Sequence, residues 1–147
     1  MTGGRTGIRE RVPLVSWGLL TIVTTVGGLS ALYVALVPAA DQTPLHARTW
    51  QQFAETDPEV ASIVARLLVV LGLLGLGFAS AAALISLFAY RRGARWAWYA
   101  LWLVPLVYGA IAARQLADAY AVGYFYAGMA AIAAIGLVIP IRRFISA

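Results

Sequence analysis

Charged residues cut this chain into four long uncharged runs, and that division constrains everything else. Val12 to Ala40, Leu67 to Tyr90, Trp96 to Ala113 and Ala119 to Ile141 contain no Asp, Glu, Lys or Arg. Crossing a bilayer as a helix takes about 20 apolar residues, with a range of roughly 17–25. Each run therefore fits one span, and none is long enough for two. Strands with period-2 alternation are absent, and backbone polar groups cannot stay unpaired in lipid, so the runs are read as helices. Composition agrees: 62% of the residues are hydrophobic and 12% charged, against about 45–50% and 25% in soluble domains. The reading is an all-α integral membrane protein. It has one domain, residues 1–147, with four transmembrane helices in an antiparallel bundle.

Arginine sets the orientation. All eleven basic residues are Arg. With the N-terminus inside, Arg5, Arg9, Arg11, Arg91, Arg92, Arg95, Arg142 and Arg143 are cytoplasmic, beside Glu10 alone. Arg48, Arg66 and Arg114 are outside, with Asp41, Glu55, Asp57, Glu59 and Asp118. This bias puts both termini in the cytoplasm and the protein in the cell membrane. The apolar run after Arg11 is nearly twice as long as the apolar region of a signal peptide, which favours an uncleaved anchor.

Breakers and caps give the boundaries. Pro13 and Pro38 bracket the first span, about 13–38. Thr43-Pro44 starts a short outer amphipathic helix, about 44–54, with Ala47, Trp50, Phe53 and Ala54 on one face. Thr56 and Glu59 have capping-box spacing around Pro58, so the second span runs 58–90 and projects beyond the bilayer. The third span, about 95–119, should bend at Pro105, which lacks the amide that would bond to Leu101, and open space near Tyr108 and Gly109. A turn over Tyr120–Gly123 leads to the fourth span, about 123–143. Small residues at four-residue spacing predict close helix contacts: Gly27, Ala31 and Ala35; Gly75, Ala79 and Ala83; Ala127 and Ala131.

Composition also excludes chemistry. Without Cys there are no disulfides or thiolate sites, and a single His excludes paired imidazole ligands. No acid lies inside a span, which removes the carboxylate that an ion-coupled transporter needs. No residues sit at ligand spacing, so neither a metal nor a cofactor is expected. The net charge of +5 lies at span ends, which points to lipid headgroups and not to nucleic acid.

Two clusters remain. Arg91, Arg92, Arg95, Trp96, Trp98 and Trp102 crowd one boundary, which fits an inner interface anchor better than the alternative, a specific site for an anionic lipid or a partner. The run Arg91-Arg92-Gly93-Ala94-Arg95-Trp96-Ala97-Trp98 resembles the "RRGxRWAW"-like segment joining spans two and three in small, uncharacterised four-span bacterial membrane proteins. The resemblance extends from about Asp57 to Arg114; it implies a topology and carries no activity. At the outer boundary Arg66, Arg114, Asp118, Tyr108, Tyr120, Tyr124 and Trp50 form either an ion-pair and aromatic belt or a pocket for an anionic or amphiphilic ligand. Two functions fit. One is a non-catalytic accessory or structural protein, partnered by other membrane subunits or by its own copies. The other is an outer-leaflet binding protein for a lipid or small amphiphile. No catalytic constellation supports an enzyme.

Overall fold

The computed structural model describes residues 12–37, 50–118 and 120–145. Among these, the regular structure is helical throughout: α1 (Leu14–Leu36), α2 (Trp50–Thr56), α3 (Pro58–Leu84), a π-helical continuation (Ile85–Tyr90), α4 (Arg95–Leu101), α5 (Leu103–Ala117), α6 (Val122–Val138) and α7 (Ile141–Ile145). Three helices are long and apolar enough to cross a membrane: Leu14–Leu36, Pro58–Tyr90 and Arg95–Ala117; Val122–Val138 is shorter, at 17 residues. Arg5, Arg9, Arg11, Pro38 and the expected helix start at Thr43-Pro44 lie outside the described residues. So does Ala119, the expected end of the third span.

Side chains on these helices are apolar on the outside as well as the inside. Leu36, Leu74, Leu106 and Ile145 are among the exposed large residues. Lipid solvates such a surface as well as a protein core does, so nothing forces these residues inward.

The chain divides into two compact units. One comprises Thr25–Ala81. Here α1 and α3 meet through small residues. A methyl group added at Gly72 would lie 2.7 Å from the Ala31 carbonyl oxygen and 2.7 Å from the Ala35 nitrogen. At Gly75 it would lie 3.0 Å from Ala31 Cβ, and at Gly28 3.5 Å from Ala79 Cβ. The pairings Gly28–Ala79, Ala31–Gly75 and Ala35–Gly72 run in opposite directions along the two helices, so the pair is antiparallel. Of the expected stripes, Ala31, Ala35, Gly75 and Ala79 make these contacts, with Gly28 and Gly72 as added members. Small faces let dispersion contacts form where lipid supplies no hydrophobic drive.

The start of α3 differs from expectation. Asp57 is the cap: its Oδ1 accepts from the Val60 amide at 3.2 Å. Pro58 needs no amide partner at the first helical position, which makes the residue before it the cap. Thr56 instead donates its hydroxyl to the Gln52 carbonyl at 2.7 Å, closing α2.

The second unit holds the residues up to Thr24 and those from Ala82 onward. Its core includes Leu20, Tyr90, Ala97, Leu101, Val104, Ala133, Leu137 and Phe144, all buried. Helices α5 and α6 form an antiparallel hairpin. The Tyr120 amide donates to the Gln115 carbonyl at 2.9 Å across its turn. Gly123 is required there, because a Cβ would come within 2.6 Å of Leu116 Cγ. The third span is interrupted at Trp102, whose amide donates back three residues to Tyr99 at 3.2 Å. Pro105 leaves the Leu101 carbonyl without its usual donor, so the irregularity falls one turn ahead of the proline. Of the two residues expected beside open space, Tyr108 is buried and stacked on Tyr126, with centroids 6.2 Å apart, whereas nothing lies within 4 Å of a Cβ added at Gly109.

Two further expectations change. The buried residues of α6 are Gly123, Met129, Ala133, Gly136 and Leu137, whereas Ala131 is exposed. The fourth apolar run is not one helix: α6 ends at Val138 and α7 begins at Ile141, around Pro140.

Candidate functional site

Pro140 creates a local problem that the rest of this unit solves. In an uninterrupted helix residue 140 would donate its amide to the Gly136 carbonyl; proline cannot. In lipid a freed carbonyl needs a partner from the protein. Tyr90 supplies one, its hydroxyl donating to Gly136 O at 2.8 Å. Trp98 supplies the next, its indole Nε1–H donating to Leu137 O at 2.9 Å. Both donors are buried. Phe144 fills the space between them, stacked on Tyr90 at 5.8 Å and on Trp98 at 5.6 Å. Trp98 also meets Trp102 edge-on at 5.9 Å. Gly136 serves a second purpose. A methyl group there would sit 3.0 Å from the Ser16 carbonyl oxygen, so the glycine lets α1 approach α6.

The π segment carries the chain from α3 into this cluster. Its register is one residue wider than an α-helix: the Arg91 amide donates five residues back, to Ser86 O at 3.0 Å. Three contacts tie it to the beginning of α1. Ser86 Oγ donates to Trp17 O at 3.4 Å. The Val12 amide donates to Arg91 O at 3.3 Å. The Arg91 guanidinium lies 5.1 Å from the centre of the Trp17 ring, in cation–π range. Thr21 also bonds Trp17 O, at 2.8 Å, and Thr24 bonds Leu20 O at 2.9 Å. Ser16 is fully buried, and its hydroxyl makes no hydrogen bond of acceptable geometry; the Tyr90 hydroxyl is its polar neighbour.

The turn that follows is rich in arginine. Gly93 has φ +77°, a left-handed conformation that L side chains rarely adopt. The Arg143 guanidinium lies over it: a Cβ at Gly93 would be 3.2 Å from Arg143 Nη2. Two adjoining grooves open here. One, of about 270 Å³, is lined by Leu87, Phe88, Arg91 and Arg92. The other, of about 670 Å³, is lined by Phe88, Ala89, Arg92, Gly93, Ala94 and Arg95. Arg91, Arg92 and Arg95 are exposed.

The six residues expected to anchor this boundary therefore divide. Arg91, Arg92, Arg95 and Trp96 face outward, Trp102 is half-buried, and Trp98 is inside with its indole N–H satisfied by protein. Trp98 is a helix-joining residue, not a headgroup anchor. Trp17, Tyr90, Pro140, Arg143 and Phe144 were not singled out from sequence. Pro140 was the available signal, since a proline inside an apolar run demands outside donors.

The residues expected at the outer boundary are less concentrated. Arg114 pairs with Asp118, one turn on, at 3.3 Å, with the Arg side chain 78% exposed. Tyr108 is buried, Tyr120 half-buried and Tyr124 exposed. In the other unit, Arg66 is exposed on α3, and Trp50 is half-buried with its ring 5.6 Å from Phe53. Among the described residues no group of three His, Asp or Glu could hold a metal ion.

No protein-family model, curated protein or solved structure matches the chain.

Proposed function

We propose that this chain is a non-catalytic membrane protein, an accessory or structural subunit that crosses the bilayer four times with both ends in the cytoplasm. One observation carries the non-catalytic reading. Among the described residues no charged side chain is buried, and of the buried side-chain donors, Tyr90, Trp98, Ser86 and Thr24 serve backbone carbonyls of the same chain, with the Ser16 hydroxyl the exception. Ion-coupled transport or acid–base chemistry within the membrane needs a titratable group inside. Here the bonds of Tyr90, Trp98 and Ser86 join one helical segment to another.

The hairpin of α5 and α6 supports the fourth span. The two helices pack side by side and are joined by a short turn, so if α4–α5 crosses the membrane, α6 returns through the same layer. At 17 residues α6 covers about 26 Å, and α7 extends the path past Pro140. The proximity of Gly93 and Arg143 brings the arginines of two segments to one end, as a positive-inside arrangement requires. The exposed Arg114–Asp118 pair gives no comparable support to an outer-leaflet binding protein.

Two measurements test this reading. Alkaline phosphatase and fluorescent-protein fusions at residue 147 should report a cytoplasmic C-terminus; a periplasmic one overturns the four-span topology. Native mass spectrometry of protein released from membranes in mild detergent should show a defined homo-oligomer or a stoichiometric membrane subunit. A bare monomer would remove the accessory-subunit reading.

A further inference from the structure

The arginine turn is built differently from a set of independent anchors. An anchoring arginine reaches its own headgroup from a flexible stem. Here Arg91 is held against the Trp17 ring, and Arg143 lies across the backbone of Gly93. Arg92 lines both grooves, with Arg91 beside it in one and Arg95 in the other. No described carboxylate pairs with Arg91, Arg92, Arg95 or Arg143; the described ion pair is Arg114–Asp118, at the far end of α5. Four guanidinium groups thus lie at one turn with no carboxylate paired to them among the described residues.

The grooves are not purely cationic. Leu87 and Phe88 form a wall of the smaller one. Phe88 is 57% exposed, and Leu84, four residues earlier, is 56% exposed. This apolar strip continues from the arginines along the membrane-spanning helix. A ligand that fits both features has an anionic head and an apolar tail. Guanidinium groups bind phosphate oxygens through paired, charge-assisted hydrogen bonds. Of the three that line the grooves, Arg91 is held against Trp17 before binding, which reduces the ordering cost.

We propose that the grooves around Arg92 form a specific site for the phosphodiester headgroup of an anionic phospholipid, with one acyl chain along Leu84 and Phe88. The leaflet involved rests on the orientation proposed above; the lipid chemistry does not.

The test uses delipidated full-length protein in detergent. Equimolar phosphatidylglycerol and phosphatidylcholine with identical acyl chains are added, and adducts are counted by native mass spectrometry. Phosphatidylglycerol adducts should dominate by roughly tenfold, because both lipids carry the phosphodiester but only phosphatidylcholine carries a quaternary ammonium, which the arginines repel. The double variant Arg92→Gln/Arg95→Gln removes exposed side chains and should lose that preference while keeping the parent's melting temperature. Arg114→Gln should retain it. A photoreactive phosphatidylglycerol should crosslink to residues 84–95 in the parent protein, a readout that needs no variant. Equal adducts of the two lipids, or a preference unchanged in the double variant, would overturn the proposal. Displacement of the lipid by millimolar inorganic phosphate would overturn the lipid assignment in favour of a free anion.

Discussion

The Tyr90 hydroxyl donates to the Gly136 carbonyl at 2.8 Å, and Gly136 is the residue whose helical donor is missing because position 140 is proline. The bond therefore repairs a defect and does not merely add a contact. Tyr90→Phe should leave a buried carbonyl unpaired and destabilise the protein by about 1–3 kcal/mol. Pro140→Ala restores a backbone donor at the right spacing. In that background the Tyr90→Phe penalty should shrink by more than half, a coupling readable from thermal or denaturant unfolding of the four variants. Equal penalties with and without Pro140 would show that the bond does not compensate for the proline, and no penalty in either background would show that Tyr90 acts through ring packing on Phe144 alone.

Helix contacts between α1 and α3 can be probed with two glycines five residues apart. A Cβ at Gly72 would meet backbone atoms of Ala31 and Ala35 at 2.7 Å, whereas nothing lies within 4 Å of one at Gly77. Backbone cannot step aside as a side chain can. Gly72→Ala should lower stability by about 1–3 kcal/mol through forced separation of the helices. Gly77→Ala should be neutral or stabilising by up to about 1 kcal/mol, since alanine is the better helix former. Melting temperatures in the same detergent decide the matter. Similar shifts at both positions would mean that the close approach does not exist in the folded protein.

These two cases also mark what was legible from sequence. Apolar runs, Arg placement and small-residue spacing are local signals, and they located α1, the 58–90 helix and most of the glycine–alanine interface. The capping error at Thr56 arose because two valid start signals overlap, and the proline selects the later one. The cluster around Trp98 was legible only in part. Trp98 looks like a belt residue beside Trp96 until its partner, a carbonyl 39 residues away, is known. Local pattern shows that Pro140 frees the Gly136 carbonyl, but it cannot reveal which distant donor meets it, nor that Arg143 lies over Gly93. At the end of α5 the Arg114–Asp118 spacing was readable because it is a within-helix relation.

Gly93 joins backbone strain to the arginine cluster. With φ at +77° and the Arg143 guanidinium above it, any side chain meets both a conformational and a steric objection. Gly93→Ala should lower stability by about 1–2 kcal/mol from the left-handed backbone alone. Gly93→Asn should be milder than a β-branched replacement such as Gly93→Val, because asparagine tolerates this region. If unfolding experiments rank Val as no worse than Asn, the turn does not hold the conformation described.

The Arg114–Asp118 pair should be nearly silent. Its members lie one turn apart on exposed surface, 3.3 Å between Nη2 and Oδ2, with side chains 78% and 39% exposed. Water screens such a pair, and ordering two side chains offsets most of the attraction, leaving about 0.3–0.5 kcal/mol. Asp118→Asn and Arg114→Gln should therefore each leave the melting temperature close to that of the parent, and any small difference should vanish in high salt. This contrasts with Tyr90→Phe, whose effect should be insensitive to salt because the bond is buried and uncharged. A large, salt-resistant loss on Arg114→Gln would mean that this guanidinium has a buried partner or ligand in the membrane. In that case the outer end of α5 is a binding site, and the outer-leaflet reading becomes the stronger of the two.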